Sequence, residues 1–243
     1  MAHGTPDYGV TSGGSTVYQL TDVGELAARL GSPITHDRRG DVIWWEDFEC
    51  GPSRWSLTPV GVNSSVALST SRARNGRSSM QLRPGDAIND SAEILHNHLF
   101  PVLSRIGFEA SFSNGDTNMD LEFRLTLFDG VNVRRYWINV RPALGIQYRN
   151  AAGAYVTVAT FPLTLSGHAT LFNTVKLVAD AVNGRYHRLI FNETTYDLSA
   201  FTPETAASAQ SPILRLQVVE TTLAVTPTGA FIDDIILTQN EPA

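Results

Sequence analysis

The chain from about residue 42 to residue 239 consists of short runs of alternating or continuous apolar residues. Val, Ile, Phe, Tyr and Thr dominate these runs, and turn residues separate them at intervals of about ten positions. This pattern predicts the strands of an antiparallel sandwich. The predicted strands are residues 43–49, 66–70, 79–82, 93–99, 107–113, 121–128, 133–140, 146–149, 155–160, 173–180, 185–191, 194–198, 214–220 and 231–239.

Residues 176–192, KLVADAVNGRYHRLIFN, form the clearest predicted hairpin. Asn183 and Gly184 stand between two strand-like runs, and an Asn-Gly pair favours a type I′ turn. Residues 199–212 are rich in Pro and Ala and are predicted to form a loop.

Residues 1–19 follow a different pattern, because Gly, Ser and Thr predominate and the aromatic residues are confined to Tyr8 and Tyr18. A segment of this composition buries too little apolar surface to fold without a partner. We therefore expect an extended arm that binds a partner chain. The residues predicted to make these contacts are Tyr8, Val10, Val17 and Tyr18.

One short helix is predicted to follow the arm, at about residues 21–30. Apolar residues recur at helical spacing in the segment LTDVGELAARLG. Asp22 and Glu25 fit a capping box, and Gly31 fits a C-terminal stop.

The composition changes this picture little. At 243 residues, with 42% hydrophobic and 17% charged residues, the chain suits one large soluble β domain. Cys50 is the only cysteine, so no intrachain disulfide forms. The first residues lack a cationic start and an apolar run, which predicts no secretory signal and synthesis in the cytoplasm. No apolar stretch approaches the roughly 20 residues of a membrane-spanning helix.

The net charge of −6 predicts neither nucleic acid nor an anionic membrane as a partner, since both favour basic surfaces. The acids themselves are unevenly placed. In the segment DVIWWEDFEC, a strand would place Asp47 and Glu49 on one face and Glu46 on the other, so the three carboxylates would not converge. In FIDDIILT, apolar flanks predict that Asp233 or Asp234 is buried and therefore hydrogen-bonded, paired or metal-bound.

Three short signatures, DFECGPSRW, NGRSSMQL and FIDDIILT, occur together with the hairpin at 176–192. In this combination the chain resembles the jelly-roll sandwiches of the concanavalin-A-like and carbohydrate-binding-module superfamilies, over residues 42–239. The resemblance implies an all-β antiparallel jelly roll in which the first and last strands are neighbours. The predicted organisation is an arm with a short helix at 1–40 and a jelly-roll β-sandwich at 41–243.

The resemblance also implies a structural calcium ion, with Glu49 and Asp234 as its candidate ligands; apart from it we expect no cofactor. Oxygen ligands suit this hard cation. The alternative is that these carboxylates bind arginine or loop amides. Retaining glycosidases of the concanavalin-A-like fold use same-face carboxylates on one strand, as Asp47 and Glu49 would be. Because these acids lie on the first strand and not on a central one, we expect no catalysis there.

The run VNVRRYWINVR places a tryptophan among arginines on the polar side of a strand, where it suits sugar stacking or an anionic partner. The alternative is a face covered by a loop or another subunit. If neighbouring strands pair in sequence order, one surface collects Arg124, Arg135, Trp137, Asn139, Arg141, Gln147, Arg149 and Tyr155. Tyr155, Arg141 and Asn139 also match the residue types of polysaccharide lyases of this fold, without a lyase motif.

The leading functional hypothesis is a noncatalytic virion structural protein of a bacteriophage, either a capsid decoration or a tail-associated protein. A jelly roll with no export signal suits a virion, and the polar arm suits lacing into neighbouring subunits. Its partners would be copies of itself, in a homo-oligomer, or other virion proteins. The alternative is a carbohydrate-binding module that recognises a surface glycan. A polysaccharide lyase or glycosidase is the third hypothesis, and we expect no enzymatic activity.

Overall fold

The computed structural model describes residues 40–114, 119–141, 144–160, 171–223 and 229–242. These residues form two antiparallel sheets of eight strands each, which pack face to face as a sandwich. The predicted all-β sandwich is confirmed. The predicted arm, its four contact residues and the helix at 21–30 lie outside the described residues. No helix in the described ranges is long and apolar enough to cross a membrane.

The first sheet has the spatial order β13-β12-β11-β6-β16-β4-β3, with β1 beside β16. Its strands are β1 (Asp41–Glu46), β3 (Ser65–Ser69), β4 (Ser79–Arg83), β6 (Arg105–Asn114), β11 (Asn173–Asp180), β12 (Arg185–Phe191), β13 (Thr194–Asp197) and β16 (Ala230–Gln239).

The second sheet has the order β10-β9-β8-β7-β15-β5-β2, with β14 beside β8. Its strands are β2 (Ser56–Val60), β5 (Ser91–Leu99), β7 (Met119–Phe128), β8 (Asn132–Arg141), β9 (Gly145–Arg149), β10 (Tyr155–Ala159), β14 (Glu204–Ala207) and β15 (Ile213–Thr222).

The core lies between the two sheets, where alternate residues of each strand meet. Phe108 and Phe112 of β6 contact Phe123 of β7, which joins the centres of the two sheets. The opposite, polar positions of β7 and β8 point away from the core. Strand alternation therefore gives the second sheet an outer face of its own, on which the predicted binding residues lie.

The first and last strands are neighbours, as predicted: β1 pairs antiparallel with β16, and Glu46 lies opposite Ile235. On the same side of β16, β4 pairs with its first residues, opposite Met80 to Leu82. The partner of β16 thus changes from β4 to β1 part-way along the strand. A bulge marks this point, where Asp234 has a φ of 46°.

Two features differ from the sequence prediction. The hairpin between β11 and β12 has a four-residue turn, because Asp180 pairs with Arg185, and the Asp180 carboxylate accepts the N–H of Asn183. Gly184 adopts a positive φ but Asn183 does not, so the predicted type I′ turn is wrong. The predicted loop at 199–212 contains the short strand β14, which pairs with β8.

Candidate functional site

Four consecutive strands of the second sheet, β7 to β10, pair in sequence order. Arg124 lies opposite Trp137, Asn139 opposite Gln147, and Arg149 opposite Tyr155. The structure therefore brings the eight predicted binding residues onto one surface. We call this surface the Trp137 face; it comprises Asp120, Glu122, Arg124, Arg135, Trp137, Asn139, Arg141, Gln147, Arg149, Tyr155 and Glu204.

Guanidinium groups cover much of the indole ring of Trp137. The guanidinium carbon of Arg124 lies 4.4 Å from the ring centroid, and that of Arg149 lies 4.7 Å from it. The indole N–H donates to the hydroxyl of Thr126 at 2.9 Å. Trp137 is thus less an open stacking surface for a sugar than a plane against which arginines are held by cation–π contacts.

Ion pairs fix the other ends of these arginines. Glu204 of β14 accepts from Arg135 at 2.8 Å and also pairs with Arg149. Glu122 accepts from Arg124 at 2.6 Å, and Asp120 lies 3.0 Å from the Nε of Arg141. The Trp137 face therefore holds four arginines against three acids.

The arrangement depends on a gap in the ladder of β8. Strand β14 pairs with β8 up to Arg135, and β9 pairs with it from Ile138. Tyr186, a fully buried core residue of β12, fills this gap: its hydroxyl accepts the N–H of Trp137 at 3.0 Å and lies 2.8 Å from the carbonyl oxygen of Arg149. A phenol from the opposite sheet thus replaces the missing strand contact.

Polar side chains of the Trp137 face are deeply set. Asn139 is 2% exposed although it points away from the core, and Gln147 is 8% exposed. Burial and the nearby Glu122 carboxylate raise the pKa of the Tyr155 phenol, so it stays protonated at neutral pH. Burial alone would lower the pKa of Arg149, but the ion pair with Glu204 outweighs this effect. The pKa lies above its usual value, and the group stays charged.

The three acids of this face were not among the predicted site residues. Asp120 and Glu122 stand two positions apart on β7, a central strand, and both side chains point outward. Burial raises the pKa of Asp120, against the effect of Arg141. The alternation in MDLEFRL carried this signal, because its acidic and basic positions share one face of the predicted strand.

The predicted calcium ligands lie at the junction of β16, β4 and β1, where they bind N–H groups. Glu49 accepts the backbone N–H groups of Arg77 and Ser78, both at 2.7 Å. Asp234 accepts from the guanidinium of Arg74 at 2.9 Å and from the side-chain amide of Asn75 at 2.7 Å. These donors fit the alternative, in which each carboxylate binds arginine or loop N–H groups, because they occupy one oxygen of Glu49 and one of Asp234.

Asp233 is fully buried beside them. It accepts the backbone N–H groups of Arg74 and Asn75 and of Asp234. Burial and the neighbouring Asp234 carboxylate raise the pKa of Asp233 to about 7. No group of three or more His, Cys, Asp or Glu side chains within the described ranges is placed to hold a metal ion.

The acids of the first strand and its following turn do not converge. Glu46 is 4% exposed and caps the N–H of Phe48, and burial raises its pKa. Asp47 accepts the N–H of Glu49. These hydrogen bonds stabilise a turn in which Phe48 has a φ of 58°, so the acids have a structural role here.

A recess of about 360 Å³ borders β1 and this turn. Trp44, Trp45, Glu46 and Arg54 are among its lining residues. Trp44 stacks on His96 at 4.3 Å, whereas Trp45 is 40% exposed. This recess lies on the opposite sheet from Trp137, so binding at the two places can be separated by substitution.

No protein-family model and no curated protein sequence matches the chain. Solved structures do match. An endo-β-1,4-glucuronan lyase from the fungus Trichoderma reesei has a TM-score of 0.55 at 10% identity, over 82% of this chain and 95% of that chain. A Bacillus subtilis protein of unknown function with a galectin-like fold has a TM-score of 0.52 at 10% identity, over 82% and 96%. A carbohydrate esterase from the Shiga toxin-encoding bacteriophage phi24B has a TM-score of 0.51 at 15% identity, over 83% and 100%.

At these identities the likeness shows the fold alone, a jelly-roll or galectin-like β-sandwich. The expectation that the chain has no enzymatic activity is wrong as an inference from this fold. Both the lyase and the esterase are carbohydrate-active enzymes with the same architecture. The fold therefore gives no ground for excluding catalysis.

Proposed function

We propose that the chain binds carbohydrate on the Trp137 face. The observation that carries this proposal is the outward cluster on β7 to β10, where aromatic, guanidinium and amide groups are held in fixed positions by ion pairs and by Tyr186. Fixed donors beside an aromatic ring are what a polyhydroxylated ligand requires. The fold supports the proposal, because proteins that act on glucuronan and on other carbohydrates share it.

A glycan array of three chains tests this proposal: the wild type, Trp137→Ala and Trp45→Ala. We expect the wild type and Trp45→Ala to bind the same glycans and Trp137→Ala to lose at least tenfold in affinity, because the arginines lose the ring that positions them. Melting curves of the three chains check that each is folded. Loss of binding in Trp45→Ala alone would move the site to the recess beside β1, and no binding by the wild type would end the proposal.

Hydrolysis of a glycosidic bond is a second candidate function, favoured by Asp120 and Glu122. Residues two apart on one face of a strand have Cα atoms about 6.7 Å apart, a spacing from which two carboxyl groups can flank a glycosidic bond as in retaining or inverting glycosidases. Burial raises the pKa of Asp120, which suits a general acid, and Glu122 would supply the second carboxyl group of the pair. Asp120 and Glu122 lie on a central strand of their sheet, whereas the acids of β1 and its turn do not.

Release of reducing ends from whichever glycan binds tests this second candidate. We expect Asp120→Asn and Glu122→Gln each to lower the rate by about 10²-fold or more while binding persists. Glu193→Gln, at an exposed turn of the other sheet, is the matched control. Unchanged turnover in Asp120→Asn, or no release by the wild type, would rule out these residues as a catalytic pair.

The virion role predicted from residues 1–19 stays a prediction, because that segment lies outside the described residues. Assembly through the arm and glycan binding through the Trp137 face are compatible. Deleting residues 1–19 separates them: assembly with copies of this chain or with virion proteins should fail, whereas glycan binding should survive.

A further inference from the structure

The charges of the Trp137 face are unevenly distributed along β8. At the end of the face near Arg141, each arginine has its own acid, Asp120 or Glu122. At the other end, Arg135 and Arg149 share the single carboxylate of Glu204. One positive charge is therefore uncompensated next to Trp137, on a protein whose net charge is −6. Such a local reversal of sign favours an anionic ligand group at this end.

The arginines are also held in a way that leaves hydrogen-bond donors for a ligand. Arg124 and Arg149 each use Nε for a protein carboxylate, and a guanidinium has four further N–H bonds on its terminal nitrogens. Contact with the indole of Trp137 fixes the two guanidinium groups before a ligand arrives. Preorganised guanidinium groups are the usual partners of carboxylate, sulfate and phosphate oxygens.

Uncharged polar groups continue the same surface beside the arginines. Tyr155 stays protonated, and its ring centroid lies 5.8 Å from the guanidinium carbon of Arg149. Asn139 and Gln147 face each other across β8 and β9. Because these groups are almost buried, they form the base of the face, and the arginine side chains, 21% to 32% exposed, carry the donors that a ligand reaches.

We infer that the Trp137 face is specific for acidic polysaccharide, with the carboxylate of a uronic acid seated at Arg135 and Arg149. This inference rests on the proposed carbohydrate-binding function and names its substrate class. A neutral sugar gives the guanidinium donors no anionic partner, so its complex lacks the charge-assisted hydrogen bonds and is weaker.

Calorimetric titration with matched oligouronates tests the inference. The probes are oligomers of galacturonate, glucuronate and mannuronate of equal length, each as the free acid and as the methyl ester, which keeps the sugar and removes the charge. We expect at least one acid to bind roughly 10 to 100 times tighter than its ester, the range that one or two charge-assisted hydrogen bonds supply. Rising salt should weaken binding of the acid and leave the ester unaffected.

Variants with opposite expected effects guard against simple misfolding. Arg135→Gln and Arg149→Gln should each remove most of the preference for the acid. Glu204→Gln removes the shared carboxylate and should tighten binding of the acid about threefold or more, a gain that a damaged fold cannot give. Arg185→Gln, on the exposed end of β12, is the matched control and should behave as the wild type.

The outcomes separate the two proposals. Equal or tighter binding of the esters, lost in Trp137→Ala, would overturn the acidic specificity and leave the carbohydrate-binding proposal in place. Weaker binding of the acid by Glu204→Gln would also overturn it. If the chain binds neither acids, esters nor any glycan of the array, both proposals fail.

Discussion

Tyr186 connects the core of the sandwich to the Trp137 face. Its ring is fully buried against Tyr136 and Tyr148, and its hydroxyl takes the place of a strand at the gap in the β8 ladder. Burial raises the pKa of this phenol well above its usual value, so it stays a neutral donor and acceptor. Without the hydroxyl, a buried N–H of Trp137 and a carbonyl of Arg149 would lose their partner.

Tyr186→Phe is therefore expected to lower the free energy of unfolding by about 1–3 kcal/mol, the cost of leaving such buried groups unpaired. Chemical denaturation measures this change. Tyr148→Phe is the matched control, because Tyr148 is also buried but its hydroxyl makes no hydrogen bond to the described residues. Equal losses in the two variants would contradict the role given to the Tyr186 hydroxyl.

The raised pKa of Asp233 predicts a dependence of stability on pH. In the unfolded chain this acid ionises near its ordinary pKa of 3.8, whereas in the folded protein it ionises near 7. Between these values the unfolded state releases the proton first, so the contribution of Asp233 to stability falls as pH rises and is fully lost above about pH 7. The loss is at most roughly 4 kcal/mol.

Unfolding of the wild type and of Asp233→Asn, followed from pH 5 to pH 8, measures this contribution. The asparagine imitates the protonated acid, so we expect the variant to gain stability relative to the wild type as pH rises. The comparison cancels the opposite trend from His96 and His187, whose pKa values burial lowers. Parallel curves for the two chains would show that Asp233 ionises normally in the fold.

The strands differ in how well the sequence predicts them. Each of the fourteen predicted strands is present, with ends displaced by no more than three residues, because periodic apolar burial dictates them. Strands β2 and β14 were missed. Both are short and mostly exposed, and β2 contains Pro59, so neither has the apolar alternation that identifies a strand.

Both β16 and β8 pair with one strand along their first residues and with another strand further on, and the sequence does not predict either change. On β16, β4 gives way to β1 at the bulge of Asp233 and Asp234; on β8, β14 gives way to β9 at Trp137. These junctions depend on tertiary register, which local alternation does not encode. The first holds the loop of residues 74–78 through the buried Asp233 and Asp234 and the exposed Glu49, and the second shapes the Trp137 face.

The hydrogen bonds at the first junction predict that calcium does not stabilise the protein. Arg74 and loop N–H groups already occupy one oxygen of Glu49 and one of Asp234, and the positive charge of Arg74 opposes a cation there, so we expect the melting temperature to be the same with added calcium and with a chelator. Differential scanning calorimetry measures it. A midpoint that rises with calcium concentration would restore these acids as ligands.

At the scale of the whole molecule, the sequence predicts which residues belong to the binding face but not how they contact one another. Alternation along β7 to β10 and pairing in sequence order predict which residues share the outer face. They do not predict that Arg124 and Arg149 lie over Trp137, nor that Glu204 joins two arginines, because β14 comes from a distant segment. The sequence thus predicts the members of the face, and tertiary packing determines which of them a ligand can reach.

Hydrogen–deuterium exchange of the full chain, with and without the tightest-binding oligouronate, tests the central claim most directly. We predict that the ligand slows exchange in β7 to β10 and β14 and leaves β1, β4 and β16 unchanged. Protection confined to β1 and the turn after it, or no change anywhere at saturating ligand, would contradict carbohydrate binding on the Trp137 face.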